Sequence, residues 1–247
     1  MRKAYALSKA FVLIAIIAFL AGCAAMGILS KTCISEAVFP MKEGTPLRYT
    51  VSVPSSYSRD TSYPLILALH YGGEVTPFFG KGMLTVLVEP ALSGLEAIIV
   101  APDCPSGGWD NPVSEAAVMS LIADIQKNYR IDRRKILVTG YSLGAIGSWY
   151  LAAGHPNVFS AAIPISGKPP ENLAFVGIPV YVIHSREDEI FPFAEVQKKI
   201  QPLITRGGAV RLMAVDGVSH YETKRFIPSL KAAIPWIREV WMKPGSQ

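Results

Sequence analysis

Lys135-Ile136-Leu137-Val138-Thr139-Gly140-Tyr141-Ser142-Leu143-Gly144, continued by Ala145-Ile146-Gly147-Ser148-Trp149-Tyr150-Leu151-Ala152-Ala153, is the stretch on which the reading of this chain turns. Its first five residues form an apolar run of β character, and the residues after Gly144 read as a helix. Between them stands G-x-S-x-G. A strand, a very tight turn and a helix in that order strain the serine at the strand end and expose its hydroxyl. Glycines two residues to either side remove the Cβ atoms that would clash where the backbone doubles back. Five loosely specified positions recur by chance, so the flanking strand and helix carry the argument. Ser142 is the candidate nucleophile.

Moving outward, buried-strand character recurs at Pro64–His70, Glu96–Ala101, Ser160–Ile165 and Ile178–Ile183, and more weakly at Ala209–Val215. Leu47–Val53 alternates apolar and polar residues, as a half-buried edge strand does. Helical stretches lie between them: Gly82–Leu92, Ser114–Tyr129 with Val118, Leu121, Ile122 and Ile125 on one face, Pro192–Arg206, and Glu222–Met242 interrupted at Pro228 and Pro235. Continuous apolar strands alternating with helices predict an α/β fold with a mostly parallel, doubly wound sheet and helices on both faces.

A serine hydroxyl attacks well only when a base takes its proton and an acid orients that base. The acid candidate is Asp188, on the loop after the strand ending at Ile183, with Glu187 and Glu189 as competitors for the role. Sites of open α/β sheets sit at this end of the strands. The chain has four histidines. His155 precedes Pro156 at the end of the helix after Ser142, His184 opens the acid loop, and His70 belongs to a Gly-containing loop. His220, between a strand and a helix, remains as the base. Charge developing on the substrate oxygen needs fixed N–H donors. Leu143, next after the serine, supplies one, and Tyr71 or Gly72, in His70-Tyr71-Gly72-Gly73, the other. Trp109, in the loop from Pro102 to Asn111, is a candidate substrate contact or a packing residue; Asp103 and Asp110 read as turn or cap residues.

These motifs resemble those of the α/β-hydrolases, in the group of carboxylesterases, feruloyl esterases and polyhydroxybutyrate depolymerases. The similarity runs through the Gly140–Trp149 elbow, His184-x-x-x-Asp188-x-x-x-Pro192 and Gly217-Val218-Ser219-His220. It implies a Ser142–His220–Asp188 triad in the order that this fold uses, and hydrolysis of small-molecule or polymer-linked esters without cofactor or metal. Two positions depart from the pattern. Ala145 stands where glycine is usual, which predicts crowding at the base of the pocket, and Ser185 stands in place of a common glycine.

The N-terminus reads as a signal peptide over residues 1–22, with Arg2, Lys3 and Lys9 preceding an apolar run. Leu20-Ala21-Gly22-Cys23 resembles a bacterial lipobox, which implies cleavage before Cys23 and a lipid anchor on its thiol. Residues 23–46 are then a tether and residues 47–247 the catalytic domain. The 225-residue mature chain suits one domain and has a net charge of about +2, because three of the 24 basic residues leave with the signal. Without a basic stripe, nucleic acid is excluded as a partner. The predicted location is the cell envelope. Cys33 and Cys104 remain, paired or free. Two rival readings are a peptidase or amidase using the same triad, and an envelope lipoprotein that uses the fold only for binding.

Overall fold

The computed structural model describes residues 32–41, 44–171, 173 and 176–243. Among the described residues, eight strands form one sheet in the order β1-β2-β4-β3-β5-β6-β7-β8. They are β1 (Thr32–Phe39), β2 (Leu47–Pro54), β3 (Tyr63–Leu69), β4 (Ile98–Pro102), β5 (Ile131–Tyr141), β6 (Ala161–Ile165), β7 (Val180–Ser185) and β8 (Val210–Val215). From β4 to β8 every neighbouring pair is parallel; β2 runs antiparallel to β4 and to β1.

Strand residues alternate between two cores, as the period of two requires. Leu65, Leu67 and Leu69 face one core with Ile98 and Val100, while Ile66 and Ala68 face the other with Ile99 and Ala101. The first core is closed by α2 (Pro112–Asn128), α3 (Leu143–Gly154) and α4 (Phe193–Thr205). The second is closed by α1, α5 (Ile227–Ala232) and α6 (Ile234–Met242). α1 is a composite over residues 80–95, with a π-helical turn at Leu84–Val88 inside it. The sheet is therefore doubly wound, with both faces covered.

Caps set the helix limits. Asn111 starts α2 by accepting hydrogen bonds from Val113 N–H and Ser114 N–H, so this asparagine, rather than Asp110, is the N-cap. Pro228 and Pro235 do not break a helix in mid-course. Each lies in the first turn of its own helix, α5 and α6, where a missing N–H costs nothing.

One boundary differs from the sequence reading. Residues 32–39, assigned to a tether, are the edge strand β1, in register with β2 from Thr32 opposite Pro54 to Phe39 opposite Leu47. Residues 1–31, including Cys23 and the proposed signal peptide, lie outside the described residues. Cys104 carries a free, buried thiol, so it does not pair with Cys33.

The parallel strands all end on one edge of the sheet. That edge carries the loops after β3 (residues 70–73), β4 (103–111), β5 (Ser142), β7 (186–192) and β8 (216–221).

Candidate active site

β5 runs straight into the turn at Ser142, whose φ of 55° and ψ of −114° are a strained combination for a residue with a Cβ. The neighbouring glycines are required by close approach. A Cβ on Gly140 would lie 2.2 Å from the Gly144 carbonyl oxygen, and one on Gly144 would lie 2.1 Å from the Leu69 carbonyl oxygen. Backbone blocks both positions, so no side-chain adjustment relieves the clash. Gly144→Ala is expected to destabilise the protein by about 3 kcal/mol, seen as a drop in Tm of roughly 6–12 °C for a chain of this size. An unchanged melting curve would show that the elbow and the end of β3 can separate freely.

The turn aims Ser142 at His220. Ser142 Oγ lies 2.9 Å from His220 Nε2, and His220 Nδ1 lies 2.9 and 3.0 Å from the two Asp188 carboxylate oxygens. A carboxylate only accepts, so Nδ1 carries the proton and donates it, which leaves the Nε2 lone pair facing the serine hydroxyl. Asp188 is itself held: its Oδ1 accepts from Ile190 N–H at 3.0 Å and Phe191 N–H at 2.7 Å. Burial opposes ionisation of this carboxyl. The hydrogen bonds from the His220 ring and Phe191 N–H, with the fields of His220 and His184, outweigh it and keep Asp188 below its usual range.

Sequence order alone left Glu187 and Glu189 as competitors, and the structure separates them from Asp188. Glu187 accepts from Gly217 N–H at 2.8 Å. Glu189 accepts from His220 N–H and the Ser219 hydroxyl. Both hold the backbone of the histidine loop; only Asp188 meets the ring. His155 lies far along the chain from these loops in a separate cluster, 2.7 Å from Glu115, which also accepts from Tyr150 OH.

Leu143 is the first residue of α3, so its N–H has no acceptor within the helix. The 70–73 loop lies against it, since a Cβ on Gly72 would come within 3.9 Å of the Leu143 side chain. The conformation of that loop is set by His70. Its Nε2 accepts from Cys104 N–H at 2.9 Å, which places the proton on Nδ1, donated to the Tyr71 carbonyl at 2.6 Å. The ring thus ties the loop after β3 to the loop after β4. Sequence reading assigned His70 to this loop without a role; an imidazole buried beneath a peptide turn is visible only in three dimensions.

Trp109 is corrected here as a substrate contact. It is 1% exposed, donates its indole N–H to the His70 carbonyl at 2.9 Å and packs on Gly147, where a Cβ would fall 2.2 Å from its own. It is a packing residue beneath the loop. Ala145 likewise does not crowd the pocket: it is fully buried and points at Gly167, where a Cβ would sit 2.6 Å away. Asp103 holds the entry to α1 by accepting from Phe78 N–H and Gly80 N–H at 2.8 and 3.0 Å.

Burial lowers the proton affinity of His70 and of His184, despite the hydrogen bonds that each ring makes to a carbonyl. The folded chain then holds fewer protons than the unfolded chain near and below the ordinary histidine value of about 6.5. By linkage, stability is full above that pH and is lost as the pH falls. Tm is expected to decline on acidification below about pH 6.5, and His184→Asn should flatten part of that slope in a series of melting curves.

Comparison with known proteins agrees with the fold. Residues 108–227 match the dienelactone hydrolase family. The chain is 26% identical over 164 residues to a probable feruloyl esterase C of Aspergillus niger, covering 59% of this chain and 56% of that protein. It therefore spans about half the length of the curated relatives it matches. The crystal structure of a thermostable esterase superposes with a TM-score of 0.68 at 26% identity, covering 85% of this chain and 63% of that one. A ferulic acid esterase gives a TM-score of 0.68 at 18% identity, covering 85% of this chain and 98% of its own. Sheet order, elbow and likeness to solved structures together give the chain the α/β-hydrolase fold.

Proposed function

We propose that this protein hydrolyses carboxylic esters through an acyl-enzyme formed on Ser142. The observation that carries the reading is the continuous hydrogen-bonded line from Ser142 Oγ through both His220 nitrogens to Asp188. His220 Nε2 takes the serine proton as Oγ attacks the ester carbonyl. Negative charge on the carbonyl oxygen is met by the Leu143 N–H and by an amide of the Tyr71–Gly72 segment. The imidazolium, stabilised by Asp188, then protonates the leaving alcohol. Water, activated by the same nitrogen, releases the acid and restores the serine.

Feruloyl esters are the substrate class to examine first, because the first curated relatives bear that name. The test is a fluorophosphonate probe together with a panel of acyl, feruloyl and p-nitrophenyl esters and peptide amides. One mole of probe per mole of chain, located on Ser142, with ester turnover exceeding amide turnover, is the expected result. Folded protein that neither labels nor turns over any ester would favour the binding lipoprotein, and faster amide cleavage the peptidase.

Export and anchoring are part of the same proposal. Leu20-Ala21-Gly22-Cys23 after a basic, apolar leader supports lipidation at Cys23 and a place in the cell envelope, held to the membrane by the lipid. Mass spectrometry of the N-terminus from the native host checks it: a diacylglyceryl-modified Cys23 is expected, and an intact Met1 refutes it.

A further inference from the structure

The loop that carries His220 is gripped by side chains from the loop that carries Asp188. Glu187 accepts from Gly217 N–H at 2.8 Å, and the Ser185 hydroxyl donates to the Val218 carbonyl at 2.5 Å. Glu189 Oε1 accepts from the Ser219 hydroxyl at 2.6 Å, and its Oε2 accepts from His220 N–H at 2.8 Å. On the opposite side of the same residue, Tyr141, the elbow residue before Ser142, donates its hydroxyl to the His220 carbonyl. The main chain of His220 is therefore fastened at both ends: at N–H by a carboxylate and at C=O by a phenol. Asp188 acts on the ring alone.

We propose that Glu189 is a positioning residue for the base. It fixes the backbone from which the His220 ring reaches Ser142, and its negative charge favours the imidazolium that forms during attack. The inference rests on His220 being the base of the proposed esterase.

Geometry explains why a surface carboxylate has this consequence. The 2.9 Å contact between Nε2 and Ser142 Oγ is the far end of a lever whose near end is the His220 backbone. A small rotation of that peptide moves Nε2 by a comparable amount, and misplacement by about 1 Å costs roughly 10²-fold in rate. Asp188 cannot prevent the rotation, because its own contact lies on the ring. A carboxylate is also the group best suited to an N–H and an O–H at once, since it has an oxygen for each and no donor of its own. The hydrogen bonds from the Ser219 hydroxyl and His220 N–H hold Glu189 ionised below its usual range.

Other charged and titratable groups face the base. Asp188 and Tyr221 lie against the ring, Tyr141 lies beneath it, and His184 stands 3.8 Å from Asp188. Glu222 accepts from Ser219 N–H and pairs with Arg225, and Arg186 pairs with Asp216. Asp216 is mostly exposed and its carboxylate is turned to Arg186, which makes it a control for charge alone.

The experiment compares the intact protein with Glu189→Ala, Glu189→Gln and Asp216→Asn, measuring kcat and KM for a p-nitrophenyl ester across pH, with melting curves alongside. Glu189→Ala is expected to lower kcat about tenfold, with KM within about twofold, because Glu189 places the base and does not hold the substrate. Glu189→Gln keeps an oxygen for His220 N–H, so its kcat should return to within about threefold of the parent. With the charge gone, its acid limb should still move to lower pH by a few tenths of a unit, a shift that added salt diminishes. Asp216→Asn should leave kcat unchanged. A kcat for Glu189→Ala within twofold of the parent overturns the proposal. So does a loss of kcat matched by Asp216→Asn, or an acid limb in Glu189→Gln that coincides with the parent's. If the parent neither labels at Ser142 nor turns over esters, the esterase reading fails first; if the parent is active and the Glu189 variants equal it, only this inference fails.

Discussion

Ser142→Gly is expected to remove nearly all turnover of an activated ester, by about 10⁴- to 10⁶-fold in kcat, and to make the protein more stable. The two effects share a cause. Ser142 is held at φ 55° and ψ −114°, where a side chain is strained and glycine is at ease. Strain of this kind is worth roughly 1–3 kcal/mol, part of which glycine returns through its larger unfolded-state entropy. A net gain of about 1 kcal/mol, or roughly 2–4 °C in Tm, is therefore expected. Ser142→Ala provides the comparison. It removes the nucleophile equally but keeps the Cβ, so it should be as inactive as glycine with no such gain. Melting curves and fluorophosphonate labelling of both variants decide the matter. A glycine variant that melts with the alanine variant would mean that the elbow is not strained; residual labelling in either would mean that another residue is the nucleophile.

Asp188→Asn carries the next largest effect, about 10⁴-fold in kcat, and the neighbours of the carboxylate explain why. Ile190 N–H and Phe191 N–H both point at Oδ1, so an asparagine must leave its oxygen there. Its NH₂ then takes the place of Oδ2, against His220 Nδ1. Facing that NH₂, the nitrogen is better placed as an acceptor, because the Oδ1 oxygen 3.0 Å away already serves two backbone N–H groups; the ring proton is drawn to Nε2, which turns an N–H toward Ser142. The base is in place with the wrong tautomer. Folding should be nearly unaffected, since the backbone contacts persist, so a melting curve near the parent's is expected beside the kinetic loss. A kcat within tenfold of the parent would show that Asp188 does not set the tautomer.

The candidate site was legible in the sequence to an uneven degree. Ser142 was plain because its strain is local: glycines at 140 and 144 and the change from strand to helix are all visible within a few residues. Asp188 and His220 could be selected by their place after β7 and β8, since parallel strands deliver their following loops to one edge. Glu187 and Glu189 could not be separated from Asp188 by that logic. Which of three successive carboxylates reaches an imidazole depends on the path of the loop, and that path is set by contacts with residues 217–220 that are distant in the chain. The departure at Ser185 has the same explanation. Its hydroxyl serves the Val218 carbonyl across the loop, which no local pattern displays.

Trp109 and β1 show the same limit from the side of packing. A tryptophan in a loop after a strand fits either a pocket wall or a plug, and only the glycine at 147 on α3 makes room for the plug. In β1 the outward residues include Ile34 and Val38 and the inward ones include Ser35, so the expected alternation is blurred. Pairing with β2, rather than its own hydrophobicity, makes the segment a strand.

By itself the sequence determined the alternation of buried strands with helices, the doubly wound sheet that follows from it, and the serine at the turn after β5. These rest on interactions between residues close in the chain, which periodicity and glycine placement record. The tertiary structure alone decided which carboxylate meets His220, which brace its loop, and that Trp109 faces inward. Those outcomes depend on the orientation of side chains across loops far apart in sequence, where the deciding partner is absent from any local window.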